Sequence, residues 1–244
     1  MGLTGAEVAA LAALVERPGA GLLIDLDGTL LDSEPVHRAS FRTYFAGRGW
    51  QVDDAVIRQF SGRRAQEAFA SLPGPWTGED PDALTDGVLA ALSRSPLRPV
   101  PVPGAVRLLA ACARARVPLA IVTSARLDWV VPALELLAVA AGTVPVVSAE
   151  DCVRGKPDPE PFRRGAERLG LRPGGLIAVE DAPAGIASAG AAGVGRTIGI
   201  TTTHPPHVLR AAGAAQTAPD LIALATAVEA LGVRRGAHVG ARPV

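Results

Sequence analysis

The sequence predicts an α/β fold: a Rossmann-like, doubly wound parallel sheet with a helical domain inserted into it. Three observations carry that expectation. Short apolar runs of strand length alternate with helical stretches along most of the chain. The runs lack a regular apolar–polar alternation, as strands buried on both faces do. The pattern then stops between Glu34 and about Arg98, where most of the aromatic residues collect and no convincing strand appears.

Taken in order, Thr4 and Glu7 stand in capping-box spacing, with Val8, Leu11 and Val15 following at helical intervals before Pro18-Gly19. This predicts a helix outside the core. Strands are expected at residues 21–27, 118–124, 144–148, 176–181 and 196–201. Core helices are expected at 104–116, 127–140, 160–169 and 184–192, with a closing helix at 221–231 and a frayed tail after Gly232. Right-handed crossovers then place the helices on both faces of the sheet. Helices of the insert fall near 36–48, 53–60, 64–71 and 81–93, and Pro96, Pro99, Pro101 and Pro103 stiffen the return. The division is 1–33 with 99–244 as one unit and 34–98 as the other.

Composition narrows the function. The 244 residues hold 24 basic and 24 acidic side chains, a net charge of +0, so no basic surplus exists to neutralise nucleic-acid phosphates or an anionic membrane. At 48% hydrophobic and 20% charged, the chain is too apolar for disorder. Cys112 and Cys152 form no disulfide framework. The N-terminus does not read as a signal peptide, and no apolar run approaches the ~18 residues of a membrane helix. A cytoplasmic protein is expected, binding neither nucleic acid nor membrane; the sequence does not fix its oligomeric state, with a monomer favoured. Lys156 is the only lysine, so 23 of the 24 basic residues are arginine.

Ligands of open parallel sheets bind beyond the carboxyl ends of the strands. Here those ends read Asp25-Leu26-Asp27-Gly28-Thr29, Thr123-Ser124 and Glu180-Asp181, and the loop after the third strand carries Gly155-Lys156-Pro157. Asp25 and Asp27, two apart, would point the same way and repel unless a cation joins them. Asp181 would complete an all-oxygen site of the kind Mg²⁺ prefers, with a substrate phosphate filling the rest. An isolated Asp-x-Asp could also be structural, or a metal site of glycosyltransferase type. Thr123 and Ser124 could cap the next helix or hold a phosphate through a hydroxyl and backbone N–H groups. Lys156, alone of its kind in a stiff prolyl loop, reads as a compact charge facing that phosphate.

DLDGTLLDSE, the apolar strand ending in Thr123, GKPDPEPF and VEDAPAGIASAGAAG occur in order and resemble the four motifs of the haloacid-dehalogenase-like hydrolases. The helical insert resembles the small cap of the subgroup with sugar-phosphate phosphatases, glycerol-phosphate phosphatases and β-phosphoglucomutase. The resemblance implies that Asp25 is a nucleophile forming an aspartyl-phosphate and that Asp27 is the acid and base. It implies that Gly28, Thr29, Thr123, Ser124 and Lys156 bind the substrate phosphate. Mg²⁺ would bind Asp25, the Asp27 carbonyl and Asp181, with Glu180 supporting or contributing. Many relatives have a glycine two residues after Thr123, where this chain has Ala125.

Outside the motifs, His37 could touch substrate or hinge, and Arg63 and Arg64 could dip from the cap toward the substrate. His204 and His207 read as loop residues, and both cysteines as small hydrophobes. The reading that follows is a Mg²⁺-dependent phosphatase of a small phosphorylated metabolite, a sugar or polyol phosphate. Its rivals are a β-phosphoglucomutase-like mutase and a non-catalytic sugar-phosphate-binding regulator. Dehalogenases of the family lack the aspartate present here as Asp27. Phosphonoacetaldehyde hydrolase needs a cap lysine, and residues 34–98 contain none.

Overall fold

The computed structural model describes residues 5–140 and 142–239. Six parallel strands form one sheet: β1 (Gly21–Ile24), β4 (Leu119–Val122), β5 (Val146–Val147), β6 (Leu176–Glu180), β7 (Arg196–Ile200) and β8 (Gln216–Ala218). Their order is β5-β4-β1-β6-β7-β8. The chain builds outward from β1 through β4 and β5, then returns to the other side of β1 for the remaining three. The strand order therefore reverses beside β1, where a crevice opens at the carboxyl ends.

Burial on both faces explains why the strands show no polar alternation. Leu22 and Ile24 of β1 join one apolar cluster, packed by α1 (Gly5–Val15), α6 (Ala105–Ala115), α7 (Leu127–Leu136) and α11 (Ile222–Val239). Leu23 between them joins the opposite cluster with Phe162 and Ala189, from α8 (Glu160–Leu169) and α9 (Pro183–Ala191). Such successive residues point to opposite faces by the pleat.

Between β1 and β4 the chain leaves through β2 (Leu31–Asp32) and returns through β3 (Val100–Pro101), which pair antiparallel as a short hinge ribbon. The segment between them holds α2 (Glu34–Gly47), α3 (Asp54–Ile57), α4 (Ala65–Ser71) and α5 (Pro81–Ser93). It forms an inserted helical cap with its own apolar cluster, including Phe41, Phe45, Phe60, Phe69 and Trp76. Phe45 stacks on Trp76 at 5.2 Å between ring centroids, and the Trp76 indole donates to the Leu72 carbonyl at 3.0 Å.

Several elements differ from expectation. The edge strand β8 and α10 (Pro206–Ala211) carry no long apolar run, because the sheet edge and the outer helix are only half covered. The expected helix at 53–60 divides into α3 and a 3₁₀ turn, Arg58–Phe60. α7 stops short of residue 140, since Ala138 takes a left-handed φ of 55°. α11 runs to Val239, past the expected fraying point. Thr4 lies outside the described residues. No helix among the described residues is long and apolar enough to cross a membrane.

Because Phe45 is nearly fully buried against Trp76, Phe45→Ala should destabilise the cap by about 3–5 kcal/mol. Urea unfolding followed by tryptophan fluorescence measures this, with Trp50 and Trp76 as reporters in the same cluster.

Candidate active site

Asp25 follows β1 directly, and its N–H still bonds the Val179 carbonyl of β6 at 3.0 Å. The chain then turns tightly: Gly28 adopts a φ of 83° and donates to the Leu31 carbonyl at 2.7 Å. A Cβ at Gly28 would sit 2.0 Å from Asp181 Oδ2, so only glycine lets this turn approach that carboxylate. Thr29, fully buried beside it, donates its hydroxyl to Asp181 Oδ1 at 3.3 Å.

Lys156 lies beneath this turn with no exposed surface. Its ammonium donates to Asp25 Oδ1 at 2.5 Å, Glu180 Oε1 at 2.5 Å and the Val122 carbonyl at 2.9 Å. An ammonium has three donors, and all three are used. Lys156 is therefore not on the cavity wall. The sequence led us to expect it to face a phosphate directly, whereas it reaches the cavity through the Asp25 carboxylate. Burial works against its charge, but Asp25 and Glu180 outweigh that and hold its pKa above the ordinary lysine value.

The acidic groups exceed this one cation. Oxygens of Asp25, Glu180 and Asp181 lie within 4.8 Å of one another. Burial drives the Asp25 pKa up to about 8, with Lys156 opposing and Glu180 adding to the rise. Asp181 is likewise raised, first by burial and then by Asp25 and Glu180. Asp25 Oδ2 is buried without any hydrogen-bond partner. A hard, all-oxygen donor set with an orphaned carboxylate oxygen and a glycine cradle fits a divalent cation. Glu180 is engaged on both oxygens, by Lys156 and by the Ala182 N–H at 3.3 Å, which leaves Asp25 and Asp181 better placed to serve one.

Asp27 has a different environment. Its Oδ1 accepts from the Ser33 hydroxyl at 2.6 Å and the Trp129 indole at 2.8 Å, and His37 Nε2 lies 3.1 Å away. Burial would raise its pKa, but His37 and these hydrogen bonds outweigh it and hold the carboxyl below its ordinary value.

A cavity of about 220 Å³ opens over Asp25, Asp27, Thr123, Ser124 and Asp181 and is roofed by the cap. The Thr123 hydroxyl accepts from the Ala125 N–H at 3.0 Å, and the Ser124 hydroxyl donates to the Gly62 carbonyl of the cap at 3.0 Å. Arg63 and Arg64 both reach the wall, but not as a free pair. Arg63 donates to Ser71 at 2.8 Å. Arg64 crosses to the core and donates to the carbonyls of Ala149 at 2.6 Å and Cys152 at 2.9 Å. His37 also lines the cavity, with Asp27 as its polar partner; Gly28, Thr29 and Glu180 do not line it.

Residues 22–199 match the haloacid dehalogenase-like hydrolase family. The chain belongs to that family. It is 40% identical over 189 residues to validoxylamine A 7'-phosphate phosphatase of Streptomyces hygroscopicus subsp. limoneus, covering 77% of this chain and 88% of that one. It is 34% identical over 184 residues to hexitol phosphatase A of Escherichia coli (strain K12), covering 71% and 79%. In structure it resembles a hydrolase from Pseudomonas syringae, with a TM-score of 0.75 at 23% identity over 81% of this chain and 92% of that one. The chain is thus a hydrolase, and these curated relatives are phosphatases.

Two contributors to this hydrolase's site were invisible in the sequence. Trp129 arrives from α7, 102 residues beyond Asp27. Glu67 of the cap accepts the Gly155 N–H at 2.8 Å, steadying the lysine loop. Ser33 stood inside the first motif without a stated role. His204 Nδ1 lies 3.1 Å from the Asp181 carbonyl, while His207 sits exposed on α10, so the two do not form a metal site. Cys112 is buried, its thiol pushed up to about 12 by burial, and Cys152 is half-buried.

The raised acids give this hydrolase a pH signature. A carboxyl that titrates near 3.8 unfolded and about 8 folded binds its proton more tightly when folded. Its stabilisation is complete below the unfolded value and is lost as pH rises toward 8. In chelator, the melting temperature should therefore fall between about pH 4 and 8. A divalent cation at roughly 100 times its Kd should restore about 2.7 kcal/mol at the upper end, or roughly 5–10 °C. Asp181→Asn should abolish that response in a thermal melt.

Proposed function

We propose that this hydrolase is a Mg²⁺-dependent phosphatase of a small phosphorylated metabolite, a sugar or polyol phosphate, working through an aspartyl-phosphate on Asp25. The observation that carries the reading is Asp25 on the cavity floor, held on one oxygen by Lys156 and unpartnered on the other. The validoxylamine phosphate and hexitol phosphate phosphatases among its relatives support hydroxyl-rich leaving groups. Residues 1–33 with 99–244 serve as the core and 34–98 as the cap that encloses the substrate.

In the first half-reaction the Asp25 carboxylate attacks phosphorus, a new O–P bond forms, and the bond to the leaving oxygen breaks with its electron pair staying on that oxygen. Asp27 donates the proton the oxygen needs. In the second, Asp27 takes a proton from water as the water attacks phosphorus, releasing inorganic phosphate and restoring Asp25. Thr123 and the Ser124 backbone cradle the phosphoryl group, with Lys156 compensating its charge through Asp25 and the Gly28-Thr29 turn holding Asp181 in place. Asp25, the Asp27 carbonyl and Asp181 would hold Mg²⁺, which supplies charge neutralisation for the phosphoryl oxygens.

The cavity wall favours hydrolysis over mutase chemistry. A mutase must grip a second phosphate, yet Arg38 is paired with Asp54, Arg64 is spent on carbonyls, and Arg126 faces Glu150 at 3.8 Å. That leaves Arg63, held by the Ser71 hydroxyl, as the wall arginine without an acidic or carbonyl partner among the described residues. The carboxylates of Asp82, Asp86 and Asp128 line the same cavity with no side-chain partner among the described residues. A second anion would meet them, while hydroxyls or an amine would not be repelled.

Phosphate release from a panel of phosphorylated sugars and polyols with Mg²⁺ tests the reading. Asp25→Asn should remove turnover while the fold persists, since an amide is not a nucleophile. Wild-type kcat in that variant would sink the assignment. Lys156→Arg should lower kcat/KM by roughly 10²-fold or more, because a planar guanidinium cannot meet three acceptors placed around an ammonium.

A further inference from the structure

Asp27 must present a proton to the leaving oxygen, and nothing in its own chain segment decides which carboxyl oxygen carries it. The structure breaks that symmetry. All three polar neighbours of the carboxyl converge on Oδ1: Ser33 at 2.6 Å, Trp129 at 2.8 Å and His37 at 3.1 Å. Oδ2 has no protein partner among the described residues, and Asp27 lines the cavity.

These neighbours are not equivalent. A serine hydroxyl can donate or accept, and a histidine nitrogen changes role with its tautomer. Each could turn to accept a proton from Oδ1. An indole N–H can only donate. Trp129 therefore keeps Oδ1 an acceptor in both protonation states of the carboxyl. It is also the partner that comes from the first turn of α7, whereas Ser33 ends the linker into the cap and His37 stands in the first cap helix. Its ring lies against His37, 4.8 Å between centroids, which fixes the direction of the N–H.

We propose that Trp129 is a positioning residue for the acid step: it holds Oδ1 of Asp27 so that Oδ2 carries the proton and faces the leaving oxygen. The inference rests on the assignment of Asp27 as acid and base. The proton on Oδ2 moves to the leaving oxygen as the P–O bond breaks, and Oδ2 later receives the proton that the attacking water gives up.

The test exploits leaving-group acidity. Substituted phenyl phosphates differ in how much their leaving oxygen needs a proton but little in shape, and kcat/KM reports only the steps up to its departure. Trp129→Phe retains the ring against His37 and removes the N–H. It should lose most, on the order of 10²-fold, with the poorest leaving group, and the loss should shrink steadily toward p-nitrophenyl phosphate. A plot of log kcat/KM against leaving-group pKa therefore steepens. A uniform loss across the series, as a role in folding or in the cavity wall gives, overturns the proposal, as does no loss at all. Asp27→Asn separates the two readings. If Asp27→Asn steepens the plot and Trp129→Phe does not, the positioning role alone fails. If Asp27→Asn leaves the slope at its wild-type value, the acid assignment falls and the inference with it.

Discussion

The ammonium of Lys156 is the point on which the carboxyl edge of the sheet depends. Its three acceptors come from the ends of three adjacent strands: Val122 of β4, Asp25 after β1 and Glu180 of β6. Two carboxylates brought this close in a dry interior repel, and each loses its hydration. The lysine offsets both terms at once, and Phe162 closes the remaining side, its ring centre 5.3 Å from Nζ. Removing one partner from such a group strands buried charge, typically at about 3–5 kcal/mol. That penalty explains how one lysine persists in a chain that otherwise uses arginine. A guanidinium is planar and broad, while this site is a small concave cup of three oxygens.

The same lysine joins the cap to the chemistry. Its loop is held from above by Arg64 on the carbonyls of Ala149 and Cys152 and by Glu67 on the Gly155 N–H. Ser124 meets the Gly62 carbonyl nearby, and a Cβ at Gly62 would come within 2.5 Å of Ala182. Cap and core thus touch through the loops that carry Thr123, Lys156 and Asp181. The contacts that seat the cap are therefore made to the same loops that place the charged groups. Arg64 reaches the cavity wall yet spends its donors on backbone, since a fork with five donors suits clustered carbonyls.

Much of this was legible in the sequence because the relevant signals are local. Strands buried on both faces appear as unbroken apolar runs, and DLDGTLLDSE carries strand end, carboxylates and glycine turn within ten residues. The sheet edge was not legible: Gln216–Ala218 is a strand only because β7 lies beside it. Nor was Trp129, a half-buried aromatic on an amphipathic helix whose sequence says nothing of a partner 102 residues away. Lys156 shows the limit in a finer way. Its uniqueness marked it as functional, but whether its donors face phosphate or carboxylate depends on tertiary geometry alone.

Asp25 and Asp27 show how two like groups acquire unlike roles. Burial and a surplus of neighbouring carboxylates raise Asp25, whereas three polar partners lower Asp27 against the same burial. Environments that push paired carboxyls apart assign them separate tasks. The protein's own groups thus favour the ionised carboxylate at Asp27. An acid needs its proton only when an alkoxide is about to leave, and a phosphoryl dianion entering beside Asp27 raises its pKa by like-charge repulsion. On the proposed mechanism, a cation joining Asp25 and Asp181 would do the reverse for Asp25, favouring the carboxylate that attacks. On that mechanism substrate and metal act on the two carboxyls in opposite senses, raising Asp27 and lowering Asp25, so each would acquire the protonation its step needs as the two bind.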